Sequence, residues 1–158
     1  MKKLILSLLL AAVSLGASAQ FEQGTKYVGA SMTGFGMGYS KSTDFYIGLQ
    51  ANFGYFVTDG LMLLGEFEWD HQNGYSDVGL GVAGRYYLQT NGLYFGGALK
   101  YKHFFPKIDN VYLTPEVGYC FYLNNHVSIE PAIFCDFSLN HFKDFTKIGL
   151  KVGFGYYF

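Results

Sequence analysis

Charge, proline and cysteine are all scarce in this 158-residue chain, and no apolar run is long. Charged residues make up 15% of it, against about 25% in soluble domains. The formal net charge is −1, which excludes the basic footprint of a nucleic-acid-binding protein. The main apolar run, Leu4–Leu15, is too short to cross a bilayer as a helical anchor. Cysteine occurs twice, at Cys120 and Cys135; neither stands near residue 20, which excludes lipid attachment there. Proline is nearly absent, with three residues. What is plentiful is glycine, with 21 residues, and aromatic side chains, at 20% of the chain. Such a chain would precipitate unless much of its apolar surface faced something other than water.

The first segment reads as an export leader. Lys2 and Lys3 precede the apolar run, and Ala17-Ser18-Ala19 forms an A-x-A cleavage site. The expectation is a signal peptide over 1–19 and one domain over 20–158, beginning at Gln20.

Beyond it the pattern has period 2, the signature of strands. In "DFYIGLQANFGYF" the odd positions from Phe45 to Tyr55 are apolar and the even ones are mostly small or polar. The same alternation recurs in the segments starting near Leu61, Asp77, Leu93, Val111, Val127 and Lys147. A weaker strand over Lys26–Tyr39, whose facing the sequence leaves open, makes eight. Tight turns at Thr58-Asp59-Gly60, Gln89–Gly92 and Asn124-Asn125-His126 carry glycine or asparagine where positive φ is needed. Looser connections follow at Asp70–Tyr75, Phe104–Asn110 and Asn140–Phe145. The predicted fold is all-β: an eight-stranded antiparallel up-and-down transmembrane barrel.

Facing separates this reading from a soluble barrel of the lipocalin kind, which keeps its apolar face inside. The apolar set is uniformly bulky, and an eight-stranded interior has no room for it. It must therefore look outward, into lipid. Aromatics gather in two bands: Tyr55, Tyr86, Phe95, Phe121, Tyr156 and Phe158 near the tight turns, and Phe45, Trp69 and Tyr101 towards the loops. Such bands mark headgroup level. The inward set includes Glu66, Glu68, Glu116, Glu130 and Asp136 against Arg85, Lys100, Lys102, Lys147 and Lys151. Counted from the tight-turn end, Glu66, Glu68, Lys100, Glu116 and Lys151 fall at similar heights, with Lys100 and Glu116 on neighbouring strands; shear blurs the count and leaves specific pairs open. Unpaired buried charges are costly, so a paired network closing the lumen is expected. A lumen lined for selectivity, a narrow porin-like channel, is the alternative.

The leader, the eight alternating segments and the terminal "KVGFGYYF" ending on Phe158 carry a resemblance. The chain resembles the small outer-membrane barrels of Gram-negative bacteria, the OmpA/OmpX-type group and its "outer membrane protein beta-barrel domain" relatives. The resemblance implies residence in the outer membrane, among its lipid and lipopolysaccharide, as a monomer. It also implies that Phe158 closes a signal read by the barrel-assembly machinery.

Other constellations carry less. Gly79, Gly81 and Gly84 match G-x-G-x-x-G, but a turn follows instead of a helix. Gly79 and Gly81 are read as inward positions that leave room for Glu66, Lys100 or their neighbours. Alternation sends Cys120 inward and Cys135 outward, beyond bridging range, so two free buried thiols are expected. His71, His103 and His141 approach Asp70, Asp109 and Asp144 at the loop end without metal-ligand spacing. His126-Val127-Ser128 resembles the His-x-Ser of the lipid A deacylase family, but both residues are expected inward, at the wrong end, and Ile129 follows. A lipid-modifying enzyme is therefore the weaker alternative. No catalytic set, cofactor or metal is expected.

Overall fold

The structure, a computed structural model, describes residues 21–38, 47–72, 75–88, 91–104, 108–139 and 147–158. Residues 1–19, expected to be a leader, and the residues Phe45, His141 and Asp144 lie outside them. Nine strand segments follow in order: β1 (Lys26–Gly38), β2 (Ile47–Thr58), β3 (Leu61–Gln72), β4 (Tyr75–Tyr87), β5 (Leu93–Phe104), β6 (Ile108–Tyr119), β7 (Phe121–Tyr122), β8 (Val127–Ser138) and β9 (Lys147–Tyr157). β6 and β7 form one stave, interrupted at Cys120, whose N–H donates to the Gly92 carbonyl in the neighbouring turn. Each stave pairs antiparallel with the next, and β1 pairs with β9. The sheet thereby closes on itself as an eight-stranded barrel and leaves no open edge, as lipid requires.

Local chemistry fixes the tight turns. Gly60 and Gly92 adopt φ of 78° and 76°, a region that side-chain-bearing residues avoid. At Asn124 the side-chain Oδ1 accepts from the backbone N–H of His126 and Val127 at 2.8 and 2.9 Å, an Asx turn.

The facing is inside out relative to a soluble protein. Val82 and Leu80 are 66% and 62% exposed, whereas Arg85 and Lys102 are each 2% exposed. On β1, whose facing alternation left open, Tyr27, Ser31 and Thr33 point in and Val28 and Met32 point out. More than two dozen large apolar side chains stand on the outer wall among the described residues. Left in water, each would forfeit about 1.5–3 kcal/mol, together far more than the roughly 5–15 kcal/mol by which domains are stable. Water is the wrong solvent for this wall.

Candidate functional site

The lumen is filled in two layers, and the lower one, at the tight-turn end, is aromatic. Phe56, Met62, Tyr87, Tyr94 and Tyr157 are fully or almost fully buried there, with Tyr122 partly buried against them. All but Met62 come from strand ends that carry two aromatics in succession: Tyr55-Phe56, Tyr86-Tyr87, Tyr94-Phe95, Phe121-Tyr122 and Tyr156-Tyr157. Because successive side chains point to opposite faces, one ring of each doublet joins the outer band and the other enters the plug. Alternation read the inner face as polar and so missed the plug; the doublets were its signal.

Phe21, ahead of β1, completes this layer. It is fully buried and stacks on Tyr87 at 4.5 Å between centroids. The Gly60 N–H donates to the Phe21 carbonyl at 2.7 Å, and the Gly24 N–H to that of Phe56 at 2.9 Å. The Gln23 N–H donates to Asp59 Oδ1 at 2.8 Å. The segment is thus tied across the mouth of the barrel. Sequence reasoning gave Phe21 no role, because it sits next to the presumed cleavage site and outside any alternating run.

Above the rings the lumen is ionic, built from rungs of register-matched inward positions on three neighbouring staves. Glu68, Gly79 and Lys102 form one rung; Glu66, Gly81 and Lys100 the next; Arg85, Gly96 and Glu116 a third. Each places a glycine between an acid and a base. A Cβ on Gly79 or Gly81 would lie 3.1 Å from the Cγ of Lys102 or Lys100, and one on Gly96 2.7 Å from the Cγ of Glu116. The missing side chains are what lets acid and base meet across an intervening strand. Lys102 Nζ stands 3.0 Å from Glu68 Oε1 and 2.9 Å from Asp70 Oδ2; Lys100 Nζ stands 3.4 Å from Glu68 Oε2 and 3.7 Å from Glu66 Oε2.

Arg85 joins the two layers. Its Nε is 2.6 Å from Glu116 Oε1, its Nη1 3.1 Å from Glu130 Oε2, and its guanidinium lies 4.9 Å from the Tyr94 ring centroid. Glu130 also accepts from Tyr27 at 3.0 Å, and from Ser128 and Tyr157 at 2.7 Å each. Lys151 pairs with Glu116, and Lys147 with Asp136 at 3.6 Å. Asp136 accepts from Thr114 at 2.6 Å. The structure therefore brings Glu66, Glu68, Arg85, Lys100, Lys102, Glu116, Glu130, Asp136, Lys147 and Lys151 together along one lumen.

Several details differ from the sequence reading. Lys100 and Glu116, neighbours by the count from the turns, do not pair: Lys100 stands opposite Tyr112, and Glu116 opposite Gly96, the stagger that the count leaves open. Asp70, left out of the inward charges, is buried against Lys102. Both cysteines are free, but Cys135 is half-buried rather than buried; it sits on the wall that faces lipid. His126 does not point inward; it is exposed at its turn and stacks on Tyr156, while Ser128 inside donates to Glu130. No His–Ser pair forms there. At the loop end His103 Nδ1 meets Asp109 at 2.6 Å and His71 stacks on Trp69. Among the described residues no group of three His, Cys, Asp or Glu could hold a metal. Asp109, exposed beyond the Tyr101 band, is held below the usual carboxylate range by its hydrogen bond with His103.

A closed sheet with a bulky apolar wall, two aromatic bands and a polar filled interior defines the class: the small eight-stranded barrel of outer-membrane type. Solved structures agree. The N-terminal β-barrel domain of Pseudomonas aeruginosa OprF is similar at a TM-score of 0.68, with 14% identity over 86% of this chain and 98% of that one. Neisserial surface protein A gives 0.66, at 13% identity over 86% and 98%. A de novo designed transmembrane β-barrel gives 0.58, at 12% identity over 87% and 98%. No family model and no curated protein matches the chain. These likenesses show the fold; an activity has to be argued from the site.

Proposed function

We propose that this protein is an integral outer-membrane barrel with a sealed lumen, serving a structural or surface-contact role without catalysis. One observation carries the reading: the interior is occupied along its height, by stacked rings below and by paired charges above, inside a wall suited to lipid. A charge in the lumen that already has its partner offers a passing ion little, and the ring layer leaves it no polar path. Export through a leader ending at Ala19 and residence among outer-membrane lipid and lipopolysaccharide belong to the same reading. So do a monomeric state and delivery by the barrel-assembly machinery through the terminal Phe158.

Two measurements test it. The outer-membrane fraction should contain the protein in a form whose gel migration shifts on heating; no shift and no membrane association would overturn the reading. In planar bilayers the refolded barrel should give no reproducible conductance steps. Steps would favour a narrow channel instead.

A further inference from the structure

The ring layer at the tight-turn mouth is filled from two sources. Phe56, Tyr87, Tyr122 and Tyr157 stand on β2, β4, β7 and β9, within a ladder that closes on itself. Phe21 does not: β1 begins at Lys26, and Phe21 reaches the layer from ahead of that strand. Its ring lies against those four, at 6.0, 4.5, 5.6 and 6.5 Å between centroids. The wall supplies the seat, and the preceding segment supplies the stopper.

The stopper is held more lightly than the seat. Its hydrogen bonds to Gly60, Phe56 and Asp59 all run to the β2–β3 hairpin. Glu22, Gln23 and Gly24 are exposed, so water can take over broken bonds there at little net cost. Gly24, at a φ of 95°, turns the chain back towards the mouth. A Cβ on it would meet nothing within 4 Å, so this pivot needs glycine for its backbone alone. Closure also leaves one polar group dry. The Tyr87 hydroxyl, on the ring that Phe21 stacks upon, is buried without a hydrogen-bond partner among the described residues, a state that admitted water would relieve. Segments held in this way open well below the free energy of global unfolding.

A run of polar atoms starts directly beneath. Cys120, 2% exposed, has its Sγ 3.5 Å from the Tyr157 hydroxyl, which donates to Glu130 at 2.7 Å. Glu130 in turn accepts from Arg85 at 3.1 Å. We propose that residues 21–25 form a releasable stopper that swings about Gly24, admitting water to Cys120 and Glu130 while the wall stays folded. The proposal rests on the sealed-lumen reading and deepens it: at this end the seal is a latch carried by the chain ahead of β1.

The test is the rate at which Cys120 reacts with a small water-soluble methanethiosulfonate in the refolded barrel, with Cys135→Ala leaving a single thiol. In that parent the reaction should be slow. Phe21→Ala, which empties the seat, should speed it about a hundredfold. Gly24→Ala, which strains the pivot and touches nothing else, should speed it about tenfold. Both variants should keep heat-modifiable migration. In the parent, the Gly24 and Gly60 amides should exchange with deuterium well ahead of the mid-strand amides of Leu80 and Leu99. Immediate reaction of Cys120 in the parent would overturn the stopper, as would a rate that neither variant changes. So would exchange of Gly24 and Gly60 only in step with Leu80 and Leu99, since the segment would then open only when the barrel unfolds. Conductance steps from the parent in planar bilayers would instead overturn the sealed lumen, whereas a silent parent with an unresponsive Cys120 overturns the stopper alone.

Discussion

Below Arg85 the lumen is packed with rings held mainly by shape, though Tyr157 also donates to Glu130; above it stand charges that need one another. The aromatic layer gains from apolar contact and ring stacking, which salt and single neighbours hardly alter. The buried ions of the upper layer have lost their water, and most, such as Lys100, Lys102 and Glu116, rely on a partner two staves away. Removing one ring leaves a gap, whereas removing one charge leaves its partner bare, which is the costlier injury. The same barrel is thus tolerant at one end and exacting at the other.

The most severe test of that contrast is Arg85→Leu. It leaves Glu130 without a cation and Glu116 with Lys151 alone, and should lower stability by about 3–5 kcal/mol, read as a fall in the urea midpoint of the refolded barrel. Phe21→Ala attacks the other layer and should cost about 3 kcal/mol, towards the low end for a buried phenylalanine, because the segment ahead of β1 can relax into the gap. If Phe21→Ala proved the more damaging of the two, the contrast would be reversed. Gly81→Val drives a side chain between Glu66 and Lys100 and should cost about 1–3 kcal/mol by overpacking. The outward Gly97, whose Cβ would meet open space, should accept alanine with little change, and the difference between the two measures how much the rung needs its gap. The smallest effect belongs to the exposed rim. Asp109 has a lowered pKa in the folded state, so what it contributes is present at neutral pH and is lost as acid protonates it. Fully open to water, Asp109→Asn should leave the midpoint unchanged.

Much of this was legible in the sequence, for reasons that also explain what was not. Where alternation is regular, period 2 assigns a side to a residue without reference to any partner, so Phe53, Leu80 and Glu66 could be placed from the chain alone. The identity of the lumen charges followed from the same parity. Their partners did not, because stagger turns a difference in position along one strand into a step around the barrel; Lys100 therefore meets Glu66 and Glu68 and not Glu116. Gly79 and Gly81 were read as space for long neighbours, and the register shows which ones. Phe21 was invisible because nothing periodic surrounds it. Tyr87 and Phe56 were hidden in a face judged by its polar majority.

The aromatic doublets have a consequence for assembly. A strand that docks one residue out of step exchanges, at Tyr86-Tyr87 or Tyr55-Phe56, one ring for another and changes little in character. That end of the barrel is blind to the error. A few positions further along, the same slip would drive Glu66, Lys100 or Arg85 into hydrocarbon, at about 2–4 kcal/mol for a basic side chain near the midplane. Proofreading of the strand alignment therefore falls to the ionic half, and the rungs that fill the finished lumen are also what makes a misaligned barrel too costly to keep.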